Sequence, residues 1–158
     1  MAAGDVDDAV TLNNACVPAL NELDRHELDR LRRLSTEALV AEVDGAFAGF
    51  CLVLPPDVDY GSLNYAWFSR TFDDFAYLDR IAVAPSARRL GVGQAFYAEL
   101  VERLTGRCPL LCCEVNVRPR NEASLRFHHR VGFSEVGQQD TDGGRKTVSL
   151  LTMSLPLR

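Results

Sequence analysis

The spacing of apolar positions changes several times along the chain, and each change marks an element. Residues 5–15 and 22–34 predict two short helices parted at Pro18; in the second, Leu28, Leu31 and Leu34 recur between charged neighbours. Residues 38–43 and 46–54 read as strands. Asp44-Gly45 between them signals a hairpin, because its turn needs positive φ. Residues 75–83 are mostly apolar without clean alternation, as expected of a strand covered on both faces. Pro85, which has no N–H to donate, ends that strand. From Gly91 onward, Val92, Ala95, Phe96, Glu99, Leu100, Arg103 and Leu104 fall at helical spacing. Residues 109–115 then form a second buried strand, so strand, helix and strand make a right-handed parallel crossover. Residues 121–131 read as the last helix, with Gly132 as its stop. A closing hairpin over 133–140 and 146–155 turns at Asp142-Gly143-Gly144. Residues 60–72 read as a loop heavy in aromatics, which either cap the core or line a pocket.

Composition narrows the class. The 158 residues fit one domain, taken here as residues 1–158, and none of the apolar runs is long enough to cross a bilayer. No secretory signal is visible at the N-terminus. The five cysteines include no Cys-x-x-Cys, and His26, His128 and His129 do not share ligand spacing with them, so neither a metal site nor a disulfide framework is expected. The expectation is a reduced, cytoplasmic protein outside the membrane. A net charge of −5 argues against nucleic acid as a partner. The imbalance is local, since residues 1–44 hold ten acids against four arginines, a pattern of solvated helix faces more than of a region that favours a cationic acceptor.

The chemistry gathers at the join between the first buried strand and its helix, Arg88-Arg89-Leu90-Gly91-Val92-Gly93. A helix start leaves its first N–H groups without intrahelical partners and carries partial positive charge. Glycine lets a bulky anion reach those amides, and two arginines add full charges, so a phosphate or pyrophosphate site is expected. A dinucleotide loop would need a third glycine where Phe96 stands, and a P-loop would need Gly-Lys-Ser or Gly-Lys-Thr where Gln94-Ala95 follow.

Arg88-x-x-Gly91-x-Gly93 after Ile81-Ala82-Val83 resembles the acyl-CoA loop of the Gcn5-related N-acetyltransferase (GNAT) superfamily. Further on, Asn121-x-x-Ser124-x-x-Phe127-His128-x-x-x-Gly132-Phe133 resembles that family's second motif. The resemblance covers about residues 37–155 and points to an uncharacterised bacterial branch. It implies an α/β fold of the α+β type: a central mixed, mostly antiparallel twisted sheet, splayed between two parallel central strands and flanked by about four helices. It also implies acetyl-CoA as co-substrate, with no metal. Main-chain groups of Ile81, Ala82 and Val83 would pair with the pantetheine arm. Amides from Arg89 through Leu90, Gly91, Val92 and Gly93 to Gln94 would hold the pyrophosphate beside Arg88, and Asn121, Ser124 and Phe127 would lie near the thioester. The family usually begins with a strand, but only about four residues precede the first helix here, so either that edge strand is absent or the start is truncated, and an absent edge strand would leave unpaired backbone that encourages a homodimer.

The family most often places tyrosine, as general acid for the leaving thiolate, where this chain has His128. A histidine, with a reference pKa of about 6.5, can also give that proton, or be a structural imidazole. Glu114, a charged residue inside an apolar strand, is the candidate base for the acceptor amine. Asp79 is second on the same logic, with a salt bridge to an arginine as its competing account. Asn116 could orient an acceptor or a water, while Tyr65 and Trp67 of the aromatic segment are candidates for the acceptor pocket. The expected reaction is direct acetyl transfer to a primary amine of a small molecule or protein in a ternary complex. An acetyl-cysteine route through Cys112 or Cys113 is disfavoured because apolar flanks raise a thiol's pKa. The alternative function is a non-catalytic acyl-CoA-binding sensor.

Overall fold

The computed structural model describes residues 1–156. Its helices are α1 (Val6–Ala15), α2 (Arg25–Leu34), α3 (Leu63–Thr71), α4 (Val92–Leu104) and α5 (Glu122–Val131). Its strands are β1 (Glu37–Val43), β2 (Ala46–Leu54), β3 (Ala76–Val83), β4 (Leu110–Arg118), β5 (Ser134–Thr141) and β6 (Lys146–Ser154). They form one six-stranded sheet in the order β1-β2-β3-β4-β6-β5. The β3–β4 pair is parallel, while β1–β2, β4–β6 and β5–β6 are antiparallel. This is the mixed, mostly antiparallel sheet with one parallel pair that the family resemblance implies. The chain divides into two compact units: Met1–Pro55 with Leu78–Glu102, and Pro56–Tyr77 with the chain from Arg103 onward.

In the first unit, α1 buries Val6, Ala9 and Leu12 and α2 buries Leu28 and Leu31, the apolar stripes of two amphipathic helices. The β1–β2 turn has Asp44 at φ 52 and Gly45 at φ 76, the left-handed pair an Asp-Gly hairpin needs. A buried arginine clamps α1: Arg80, 5% exposed, donates through Nη1 to Asn13 Oδ1 at 2.9 Å and to the Asn21 carbonyl at 3.0 Å. Gly49 of β2 permits close packing, since a Cβ there would stand 2.6 Å from the Ala82 carbonyl oxygen and 3.1 Å from the Phe96 ring.

In the second unit, the β4–β6 register pairs Glu114 with Leu150 and Asn116 with Val148, and β6 pairs those residues with Gly137 and Gln139 of β5. Side chains alternate across a strand. Cys112, Glu114, Asn116, Val148, Leu150, Gly137 and Gln139 therefore share one face, and Leu111, Cys113, Val115, Ser149 and Leu151 share the other.

The segment over 60–72, read as a loop, contains α3 instead. Ser62 caps it by accepting from the Tyr65 amide at 3.3 Å, and Ser69 and Thr71 donate back to the Tyr65 and Trp67 carbonyls at 3.0 and 2.7 Å. Aromatic and hydroxyl residues are weak helix formers, so packing decides this element rather than propensity. It brings the α-helices among the described residues to five rather than about four.

Candidate active site

The strand end, loop and helix start lie where the motif puts them. After β3, a 3-10 turn over Pro85–Ala87 leads into the stretch ending at Gly91. The first intrahelical bond of α4 runs from the Ala95 amide to the Gly91 carbonyl at 2.9 Å, so Val92, Gly93 and Gln94 carry the leading N–H groups. Gly91 has φ 82, and nothing lies within 4 Å of where its Cβ would be. An anion can therefore come up to the main chain at this residue. Arg88, Arg89 and Leu90 beside it are exposed, and Arg89 itself has φ 67. Of the strand residues expected at the pantetheine arm, Ala82 is buried while Ile81 and Val83 are half-buried.

Glu114 lies in the second unit on β4, half-buried, and Tyr77 donates from its hydroxyl to Glu114 Oε2 at 2.7 Å. The register explains the contact: Tyr77 pairs with Cys112, so both side chains share a face, and Glu114 is the next residue of β4 on that face. The Tyr77 ring is fully buried against α3, with centroids 5.4 Å from Tyr65 and 5.7 Å from Phe68. Reading the sequence did not single out Tyr77. A usable signal was present, since a buried tyrosine needs a partner for its hydroxyl and the neighbouring strand offers a carboxylate.

On α5, Asn121 is the N-cap, accepting from the Ser124 amide at 3.2 Å. Its amide donates to the Asn116 carbonyl at 3.0 Å, which ties β4 to the start of the helix. One turn on, His128 is 5% exposed with Nδ1 2.7 Å from the Ser124 carbonyl oxygen and 3.2 Å from Ser124 Oγ. A carbonyl only accepts, so Nδ1 carries the proton. Burial pushes the His128 pKa below the usual histidine value, opposed in part by that hydrogen bond. The Phe127 and Phe133 rings meet the imidazole edge-on at 5.6 and 5.4 Å.

Tyr65 is buried in an aromatic cluster with Tyr60, Phe75 and Tyr77, and its hydroxyl accepts from the Val58 amide at 3.1 Å. Trp67 lies over Gly137, whose Cβ would stand 3.2 Å from the indole, and Asn64 accepts from Gln139 at 2.8 Å. Both residues thus dock α3 on the face that carries Glu114. Asp79 forms an ion pair with Arg80, Oδ2 to Nε at 3.1 Å, though out of hydrogen-bond alignment. Asn116 is half-buried on β4. Cys112 and Cys113 are buried, and desolvation pushes both thiols up, which keeps them protonated and poorly nucleophilic.

The six-stranded mixed sheet with its one parallel pair defines a class that the family comparison identifies. The model of the acetyltransferase (GNAT) family matches residues 8–133, and the chain belongs to that family. Among its relatives is an L-methionine sulfoximine/L-methionine sulfone acetyltransferase from Salmonella typhimurium, 27% identical over 137 residues, covering 85% of this chain and 71% of that protein. The fold is also that of the ribosomal-protein-S18-alanine N-acetyltransferase from Escherichia coli, with a TM-score of 0.73 at 19% identity over 100% of this chain and 92% of the other. Ard1 from Thermoplasma volcanium superposes with a TM-score of 0.78 at 16% identity, over 98% and 94% of the two chains.

Proposed function

We propose that the chain is an acetyl-CoA-dependent N-acetyltransferase acting on a primary amine by direct attack in a ternary complex. The observation that carries this reading is the unfilled approach to the main chain at Gly91, at the head of α4 and beside two exposed arginines. In this reading the amides from Arg89 to Gln94 take the pyrophosphate, with Arg88 adding charge. The main chain of Ile81, Ala82 and Val83 holds the pantetheine arm, and Asn121, Ser124 and Phe127 line its thioester end. The acceptor nitrogen, uncharged, attacks the thioester carbonyl carbon. The C–N bond forms, the C–S bond breaks, and Glu114 takes the proton lost by the amine, directly or through water. The CoA thiolate leaves and takes a proton from His128, which regains one from solvent. Asn116 orients the acceptor, and Tyr65 and Trp67 shape its side of the site by holding α3. Asp79, tied to Arg80, is the remaining candidate on the acceptor side.

The L-methionine sulfoximine/L-methionine sulfone acetyltransferase among the relatives favours small primary amines of that kind as first acceptors to assay. Peptides with a free N-terminal alanine form the second arm. Calorimetry with CoA and acetyl-CoA, followed by CoA release across the amine panel, tests the reading. Heat with both coenzymes and turnover that Glu114→Gln lowers by about 10²–10⁴-fold, leaving a measurable remainder, is the expected result. Binding without turnover on any amine indicates the acyl-CoA sensor instead, and no heat with either coenzyme overturns the whole reading.

A further inference from the structure

We infer that Tyr77 is a positioning residue for Glu114, aiming the carboxylate that receives the acceptor's proton. This rests on the proposed role of Glu114. Tyr77 is fully buried and donates to Glu114 Oε2 at 2.7 Å. A tyrosine has two side-chain torsions, and here the ring is clamped by Tyr65 and Phe68 of α3, so its hydroxyl sits at a fixed point above β4. A glutamate has three torsions and would sample several directions from a strand. One donor from a fixed ring selects among them.

The chemistry of the pair is suited to that task. Phenol and carboxyl ionise about six pH units apart in model compounds, so the proton stays on tyrosine and the carboxylate stays a base. A carboxylate offers about four lone-pair sites, and the bond from Tyr77 takes one of them, on Oε2. Cys112 and Cys113 are kept neutral by burial. Leu150 and Gly137 follow Glu114 across the sheet, and Tyr65 turns its hydroxyl to the Val58 amide. Asp79, further along β3, is paired with Arg80, and Arg70 near the end of α3 is exposed.

Tyr77→Phe removes the oxygen and keeps the ring. The expected result is a kcat about tenfold lower, as for loss of one hydrogen bond to a charged group, with KM for acetyl-CoA unchanged. In a Glu114→Gln background the same change adds no further loss, whereas a merely structural role lowers both backgrounds in proportion. Independently of turnover, the side-chain carboxyl of Glu114, followed by carbon-13 NMR, titrates about one pH unit higher in Tyr77→Phe. An unmoved titration, or proportional loss in both backgrounds, overturns the inference. A wild-type protein inert towards every amine, or full activity in Glu114→Gln, sinks the proposed function instead, and the titration still decides whether Tyr77 holds Glu114.

Discussion

His128 combines a buried imidazole with the general-acid role proposed for it. Its Nδ1 is bonded to the Ser124 carbonyl, and burial among Phe127 and Phe133 disfavours the imidazolium. The charged form is the one able to give a proton to a thiolate, so the proposed acid role predicts a kcat that falls as pH rises above the lowered pKa. The same shift has a consequence for stability. In the unfolded chain the imidazole titrates near its ordinary value of about 6.5, and in the folded chain below it. Between the two, the unfolded state binds more protons, so stability falls as pH is lowered through that window and is level above it. Thermal melts from mildly acidic to neutral pH are expected to show the wild-type Tm dropping below pH about 6.5, with His128→Gln flatter over the same range. Identical pH profiles for the two proteins would count against a neutral buried imidazole. The sequence places His128 on its helix by motif spacing, but its burial depends on how α5 settles on the sheet.

At the scale of elements, α3 departs most from what the pattern predicts. Tyr65, Phe68 and Phe72 recur at helical spacing, yet Gly61 and a run of hydroxyl and aromatic residues weaken the local preference. Docking on β3 and β5 decides the matter, through Tyr77 beneath Tyr65 and Phe68, Gly137 beneath Trp67, and Gln139 bonded to Asn64. Gly137 is the sensitive point, because a side chain there must displace the indole. Gly137→Val is expected to cost about 1–3 kcal/mol by overpacking. A lower urea midpoint at unchanged m-value, with a change in Trp67 fluorescence, is the signature. An unchanged midpoint would mean that Trp67 does not hold α3. β4 also runs longer than its apolar stretch, to Arg118, since pairing with Thr147 of β6 carries the strand past the last apolar residue.

For the molecule as a whole, the proposed coenzyme site at the head of α4 is read most directly through stability. Any ligand that binds the folded chain and not the unfolded one stabilises it by mass action. At 100 times its Kd, CoA is expected to add about 2.7 kcal/mol, or roughly 5–11 °C in Tm for a chain of this size. Replacing Arg88 and Arg89 together by alanine is expected to shrink that rise by weakening CoA binding, while leaving the Tm of the free protein nearly level, because both arginines are exposed. A CoA-induced rise of the same size in the double variant would place the coenzyme elsewhere.

By itself the sequence determined the order of strands and helices in both motifs, the Asp44-Gly45 turn, the parallel crossover and the glycine-opened head of α4. These depend on local rules: alternation and helical spacing, glycine at positive φ, and proline without a donor. The tertiary structure alone decided the partners. The Tyr77 hydroxyl at Glu114, Arg80 against Asn13, α3 over Gly137 and the burial of His128 join residues far apart in the chain. Such contacts come from register and packing between elements, which no window of neighbouring residues encodes.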